Sequence, residues 1–262
     1  MLQTFSTTAP FTVAAAMVSA GCGGYSQPFA ASGVRGPAHR NHAKSWVSPD
    51  AKRERQLLFM SDSGREEVDI YSLPGMKLKG RLTGFYNPQG MCSDTSGNVY
   101  VTQTNVGEID KYSHAAVRLA RYPDNYGLPD GCAVDPATGN LAVTDFVNVA
   151  SGPGEVLIFS SPSSAPKVLT NPGQYFYYFA GYGPHSSLRV SGKDPSGNYM
   201  LSRCSATSCT TLSLRGGTLY YPGAVQWDST HRTWVVFDQL CGNAPAACSY
   251  PVSPKGKLGP AT

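Results

Sequence analysis

Charge is scarce in this chain. Only 15% of its 262 residues are Asp, Glu, Lys or Arg, and residues 1–34 carry none of them. Residues 35–55 hold six basic and two acidic groups, and the remainder is balanced at 15 of each sign. A neutral body behind a short basic segment lacks the electrostatic footprint of a nucleic-acid binder. Catalytic signatures are missing as well. There is no G-x-S-x-G elbow, H-E-x-x-H pair, P-loop or dinucleotide fingerprint, and the five histidines are scattered. No run keeps a 3.6-residue apolar period, which argues against a helical domain, and no apolar run is long enough to cross a bilayer as a helix.

What is abundant is turn chemistry. The 28 Gly and 20 Pro residues separate apolar runs of four to six residues, the profile of an all-β domain of many short strands. One stretch, residues 128–145 (LPDGCAVDPATGNLAVTD), reads as two strands around an Asp-initiated turn. It recurs at residues 87–104 and 221–238, with six residues from proline to turn aspartate each time: Pro88 to Asp94, Pro129 to Asp135, Pro222 to Asp228. The second strands, ending at residues 62, 103, 145, 192 and 238, are 41, 42, 47 and 46 residues apart. A period in the forties with about four strands per unit is a blade repeat.

The pattern P-x-G-(apolar)-x-V-D, then G-N-(apolar)-x-V-T-D, resembles the NHL-repeat family and the related regucalcin/gluconolactonase-like propellers. It is also similar to uncharacterised bacterial lipoproteins carrying such repeats. The likeness covers residues 56–253. It implies an all-β fold, a β-propeller of four-stranded blades with about five blades present. Residue 57 begins on a second strand, so the first blade is expected to lack its innermost strand, as in an open ring or a truncated six- or seven-bladed one.

Ahead of the repeats, Thr12 to Ala20 is a short apolar run ending in small residues before Gly21-Cys22. It reads as a secretory signal peptide over 1–22 and resembles a bacterial lipobox, which would leave Cys22 acylated. Residues 23–55, rich in Gly, Ser, Ala, Pro and His, read as a flexible basic tether, and 56–262 as the propeller domain. The H-x-x-H at His39 and His42 reads as spare histidines of that tether.

Six further cysteines suit an oxidising compartment. Cys204 with Cys209 and Cys241 with Cys248 have the spacing of disulfides across hairpin loops. Strand alternation puts Cys92 and Cys132 on opposite faces, so both read as buried free thiols.

Two recurring features bear on function. The second strands end in Asp62, Gln103, Asp145 and Asp238, and converging carboxylates could hold Ca²⁺ or another divalent cation. The resemblance implies a metal at that face in the regucalcin/gluconolactonase-like enzymes, but their hallmark glutamate has no match here, and capping of turns is the favoured role. Aromatic side chains precede the inner strands: Tyr86, Tyr126, the run Tyr175, Phe176, Tyr177, Tyr178 and Phe179, and the pair Tyr220 and Tyr221. They could stack on sugars or present a protein-binding face. The turn aspartates Asp94, Asp135 and Asp228 read as structural.

The sequence therefore reads as an exported, lipid-anchored monomer of the bacterial cell envelope, periplasmic or at the cell surface. It would bind a protein or glycan without catalysis or cofactor, touching the membrane through its anchor only. The alternative is a lactonase- or lyase-like enzyme with a divalent cation held by Asp62, Asp145 and Asp238.

Overall fold

A computed structural model describes residues 12–15, 44–241 and 246–262, with side chains from residue 44 onward. The chain is all-β with five blade-like sheets, and its described residues contain 3₁₀ turns but no α-helix. It divides into two compact units at Asp124 and Asn125.

The first unit holds two blades. Blade I consists of β1 (Thr12–Ala15), β2 (Trp46–Val47), β3 (Gln56–Asp62), β4 (Glu67–Ser72) and β5 (Leu78–Thr83), in the order β1-β3-β4-β5-β2. Blade II is an antiparallel meander of β6 (Pro88–Ser93), β7 (Val99–Gln103), β8 (Glu108–Tyr112) and β9 (Arg118–Pro123). Their apolar faces form one core of Leu57, Phe59, Val68, Ile70, Phe85, Val99 and Val101. Each such side chain contributes about 1.5–3 kcal/mol on burial.

The second unit holds three blades. Blade III runs β10 (Gly127–Val134), β11 (Leu141–Asn148), β12 (Pro153–Phe159) and β13 (Lys167–Leu169). Blade IV follows with β14 (Phe176–Tyr182), β15 (Leu188–Lys193), β16 (Tyr199–Cys204) and β17 (Cys209–Leu212). Blade V has β18 (Pro222–Asp228), β19 (Thr233–Asp238) and β20 (Cys248–Val252), with a bridge from Val252 to Leu258 beyond them. Ala142, Val156, Tyr177, Leu188 and Val190 fill the space between blades III and IV, and Leu201, Leu219, Trp234, Val236 and Leu258 that between IV and V.

The repeat unit has a local cause. Each inner strand of blades II to V carries a register irregularity just after its first residues, as between Pro88 and Met91 or Pro222 and Val225. In three blades a hydroxyl from the second strand serves the bulged backbone. Thr102 Oγ1 accepts from Gly90 N (2.8 Å), Thr144 Oγ1 from Gly131 N (2.9 Å) and Ser191 Oγ from Phe179 N (3.3 Å). The proline costs nothing there because an irregular edge needs no ladder donor. In blades II, III and V the inner hairpin then turns on an aspartate, as when Asp94 Oδ1 accepts from Ser96 N (3.0 Å) and Asn98 N (2.9 Å) and Gly97 takes φ 77°.

Three expectations change. Blade I does not lack an inner strand: β1 runs parallel along β3, with Thr12 opposite Gln56 and Ala15 opposite Phe59. Pairing also reaches back to Trp46 and Val47 on the outer edge, so the blade starts ahead of residue 56. Residues 44–55, read as part of the tether, instead carry β2 and a 3₁₀ turn at Ala51–Arg53. The rest of the tether reading, over 23–43, and the signal-peptide reading apart from β1, Cys22 included, lie outside the described residues. Cys92 and Cys132 are not free thiols, since each is in a disulfide. Counting alternation from the proline fails because the bulge shifts which face the following residues take. The other two bridges, Cys204–Cys209 and Cys241–Cys248, are present as expected.

Candidate binding face of the second unit

In blades II, III and V a polar residue towards the end of the second strand stands opposite the inner-strand proline. Pro88 stands opposite Gln103, Pro129 opposite Asp145 and Pro222 opposite Asp238. Gln103 Oε1 accepts from Tyr86 N at 3.0 Å. Asp238 accepts from Tyr220 N and Tyr221 N, each at 2.7 Å, and from Leu240 N at 3.0 Å. These side chains tie the chain arriving at each inner strand to the strand beside it. Asp145 is fully buried at the same register position.

Blade IV departs from the series in an informative way. Gly192 takes the second-strand position, opposite Tyr177. A Cβ there would lie 1.9 Å from Phe176 O and 2.3 Å from Gln174 Nε2. The Gln174 amide fills the space from the preceding loop, donating to Phe176 O (3.1 Å) and accepting from Ser202 Oγ. Asn171 extends the network, donating to Ser202 Oγ (2.8 Å) and Thr211 Oγ1 (3.0 Å), while its backbone N–H donates to the Tyr177 hydroxyl (2.7 Å).

Of the metal candidates, Asp62 accepts from Arg65 N at 3.0 Å and pairs with the Arg65 side chain at 3.7 Å, closing its own turn. Among the described residues no group of three or more His, Cys, Asp or Glu side chains could hold a metal ion.

The aromatic run divides. Tyr177 is fully buried, its hydroxyl bonded to Asn171, and belongs to the core. Tyr175, Phe176 and Tyr178 are half-buried on the surface, and Tyr220 and Tyr221 are exposed. Phe146 joins them: its ring stacks on Phe176 at 4.7 Å and on Tyr178 at 5.7 Å, and Tyr175 meets Phe176 edge-on at 4.8 Å. Tyr199 contacts Tyr221 edge-on at 5.6 Å, with Lys193 Nζ 4.3 Å above the Tyr199 ring. Burial, then the Tyr221 and Asp238 charges, push the Tyr199 hydroxyl up to about 12. Burial raises Tyr178 as well, with Tyr199, Tyr221 and Asp130 adding to it, and burial alone pushes the Asp130 carboxyl up to about 7.

Sequence reasoning missed Phe146, Tyr199, Lys193 and Asp130. Phe146 follows the expected end of its strand, which runs three residues further to Asn148. Beside the aromatic group lies a cleft of about 270 Å³ lined by Asn148, Glu155, Asn171, Gln174 and Tyr177. Of the polar lining, Asn148 and Glu155 are half-buried, whereas Asn171 and Gln174 are buried within their hydrogen-bond network.

No family model matches the chain. Among solved structures, it is similar to that of a nidogen/laminin complex, with a TM-score of 0.61 and 15% identity over 78% of this chain and 74% of that one. Virginiamycin B lyase from Staphylococcus aureus gives a TM-score of 0.60 and 12% identity over 82% of this chain and 68% of that one. RRP9 WD40 repeats give 0.56 and 12%, over 83% and 64%. Identities this low speak to architecture and not to activity. What the chain shares with these proteins is the β-propeller fold.

Proposed function

We propose that the chain is a binding scaffold that recognises a glycan through Phe176, Tyr178, Tyr175 and Tyr221 together with the adjoining cleft. The observation that carries this reading is the group of half-buried rings, Phe146 on Phe176 and Tyr178 and Tyr175 on Phe176, in the same unit as a cleft lined by the half-buried Asn148 and Glu155. Sugar rings present C–H faces to aromatics and hydroxyls to amides and carboxylates, so both halves of the surface would be used. A protein partner is the other occupant that exposed Tyr220 and Tyr221 would suit. The disulfides at Cys204–Cys209 and Cys241–Cys248 support export to an oxidising compartment such as the cell envelope.

The test is a panel of envelope oligosaccharides titrated calorimetrically against the full chain, Tyr175→Ala and Tyr221→Ala. Saturable binding that weakens in either variant supports the glycan reading. No binding at millimolar concentration to any sugar sinks it and leaves the protein partner. The metal-dependent enzyme reading has less support, because Asp62 and Asp238 already serve backbone N–H groups. A rise in unfolding midpoint on adding Ca²⁺, Mn²⁺ or Zn²⁺ after chelation, absent in Asp145→Asn, would reinstate it.

A further inference from the structure

Two arginines of blade IV face each other across adjacent strands, Arg189 on β15 opposite Arg203 on β16. Side chains in that relation have Cβ atoms about 5 Å apart, where like charges repel. Elsewhere the chain sets a carboxylate opposite such an arginine. Asp69 pairs with Arg81 and Asp110 with Arg121, with Nε–carboxylate distances of 2.7 and 2.9 Å. Blade IV does not. All 17 acidic residues of the chain lie among the described residues, and neither arginine has an ion-pair partner there. Asp135 and Asp228, the aspartates of the neighbouring hairpins, are bonded within their own turns.

Arg189 is only 6% exposed. Its guanidinium sits 5.1 Å from the Trp234 ring centre, and its hydrogen bonding is one long contact from Nη1 to Leu188 O, 3.5 Å. Burial first, and the Arg203 charge second, hold its pKa below the ordinary arginine value. A buried cation with donors to spare, opposed by a second exposed cation, is a costly arrangement for the empty fold. An oxyanion bridging the two removes both costs, and a guanidinium fork suits phosphate or carboxylate oxygens.

We propose that Arg189 and Arg203, backed by Trp234, form a binding site for an oxyanion, a phosphate or carboxylate group. It would lie at the strand ends of blades IV and V opposite the aromatic face, since Arg189 pairs with Gly181 near the far end of β14.

The experiment is thermal unfolding of the full chain at pH 7, titrated with sodium phosphate and separately with acetate, against sodium chloride at equal ionic strength. A saturable rise in midpoint with at least one oxyanion, absent with chloride, is expected. Arg203→Ala should weaken the response about tenfold or more, the scale of one charge-assisted hydrogen bond. It should also unfold at a higher temperature than the parent without oxyanion, because the repulsion is gone. Arg189→Met keeps the stem against Trp234 and should abolish the response; if it does not fold, Arg203→Ala decides. No saturable rise with either oxyanion, or an undiminished one in Arg203→Ala, overturns the proposal. Response to phosphate alone or acetate alone identifies which oxyanion the site takes.

Discussion

Gln174 occupies the volume that a side chain on Gly192 would need. Blades II, III and V carry Gln103, Asp145 or Asp238 at that strand position, so in blade IV the polar side chain comes from the preceding loop instead of from the second strand.

Replacing Gly192 by alanine should therefore destabilise the chain by at least about 1–3 kcal/mol, the scale of overpacking, because a Cβ would meet the Phe176 carbonyl at 1.9 Å. Urea unfolding would show it, and pairing the change with Gln174→Ala should not restore stability, since the backbone carbonyl remains in the way.

Removal of the Asp238 carboxylate is expected to leave the Tyr220 and Tyr221 N–H groups without their acceptor. Asp238→Ala should cost about 1–3 kcal/mol in chemical unfolding. Amide exchange at those two residues should quicken more than at Leu212, and uniform protection would contradict the bracing role.

Phe146→Ala removes the ring between Phe176 and Tyr178. The lost ring pairs are worth about 0.5–1.5 kcal/mol each beyond buried area. If the aromatic surface is the recognition site, ligand affinity should fall in this variant while Phe85→Leu, in the core of the first unit, leaves it unchanged.

Stability should decline as pH rises towards neutrality through Asp130. Burial lifts its folded-state pKa to about 7 from 3.8. Between those values the folded chain holds a proton that the unfolded chain has released, so the contribution is complete below pH 3.8 and is lost as pH rises through about 7. Melting midpoints at pH 5 and pH 8 should differ less in Asp130→Asn than in the parent; an equal difference in both would refute the assignment.

Cys204→Ser should lower stability by about 2 kcal/mol, the entropic value of so short a loop, with little effect at the aromatic surface.

The blades were legible because their causes are local. A proline, an irregular inner strand, an aspartate turn and a hydroxyl-bearing second strand are all written within eighteen residues. The hairpin disulfides were legible for the same reason. What the sequence hid is what depends on partners far along the chain. The pairing of β1 with β3 joins residues 44 positions apart, and no pattern in Thr12–Ala15 distinguishes it from another apolar run. The fate of Tyr177, alone buried among its aromatic neighbours, depends on Asn171 and the blade III core. Lys193 and Tyr199 approach each other only because a tight turn folds β16 back on β15.

That turn has a wider consequence. Asp194 accepts from Ser196 N (2.9 Å) and Asn198 N (2.8 Å), the same bonds that Asp94 makes, yet it joins β15 to β16 where Asp94 joins β6 to β7. A five-residue loop that satisfies its own backbone asks nothing of the sheet around it. It can be copied into any hairpin of a blade, so a reader who sets the frame of such a chain by its D-x-S-G-N words will place the boundary between blades one strand out of step.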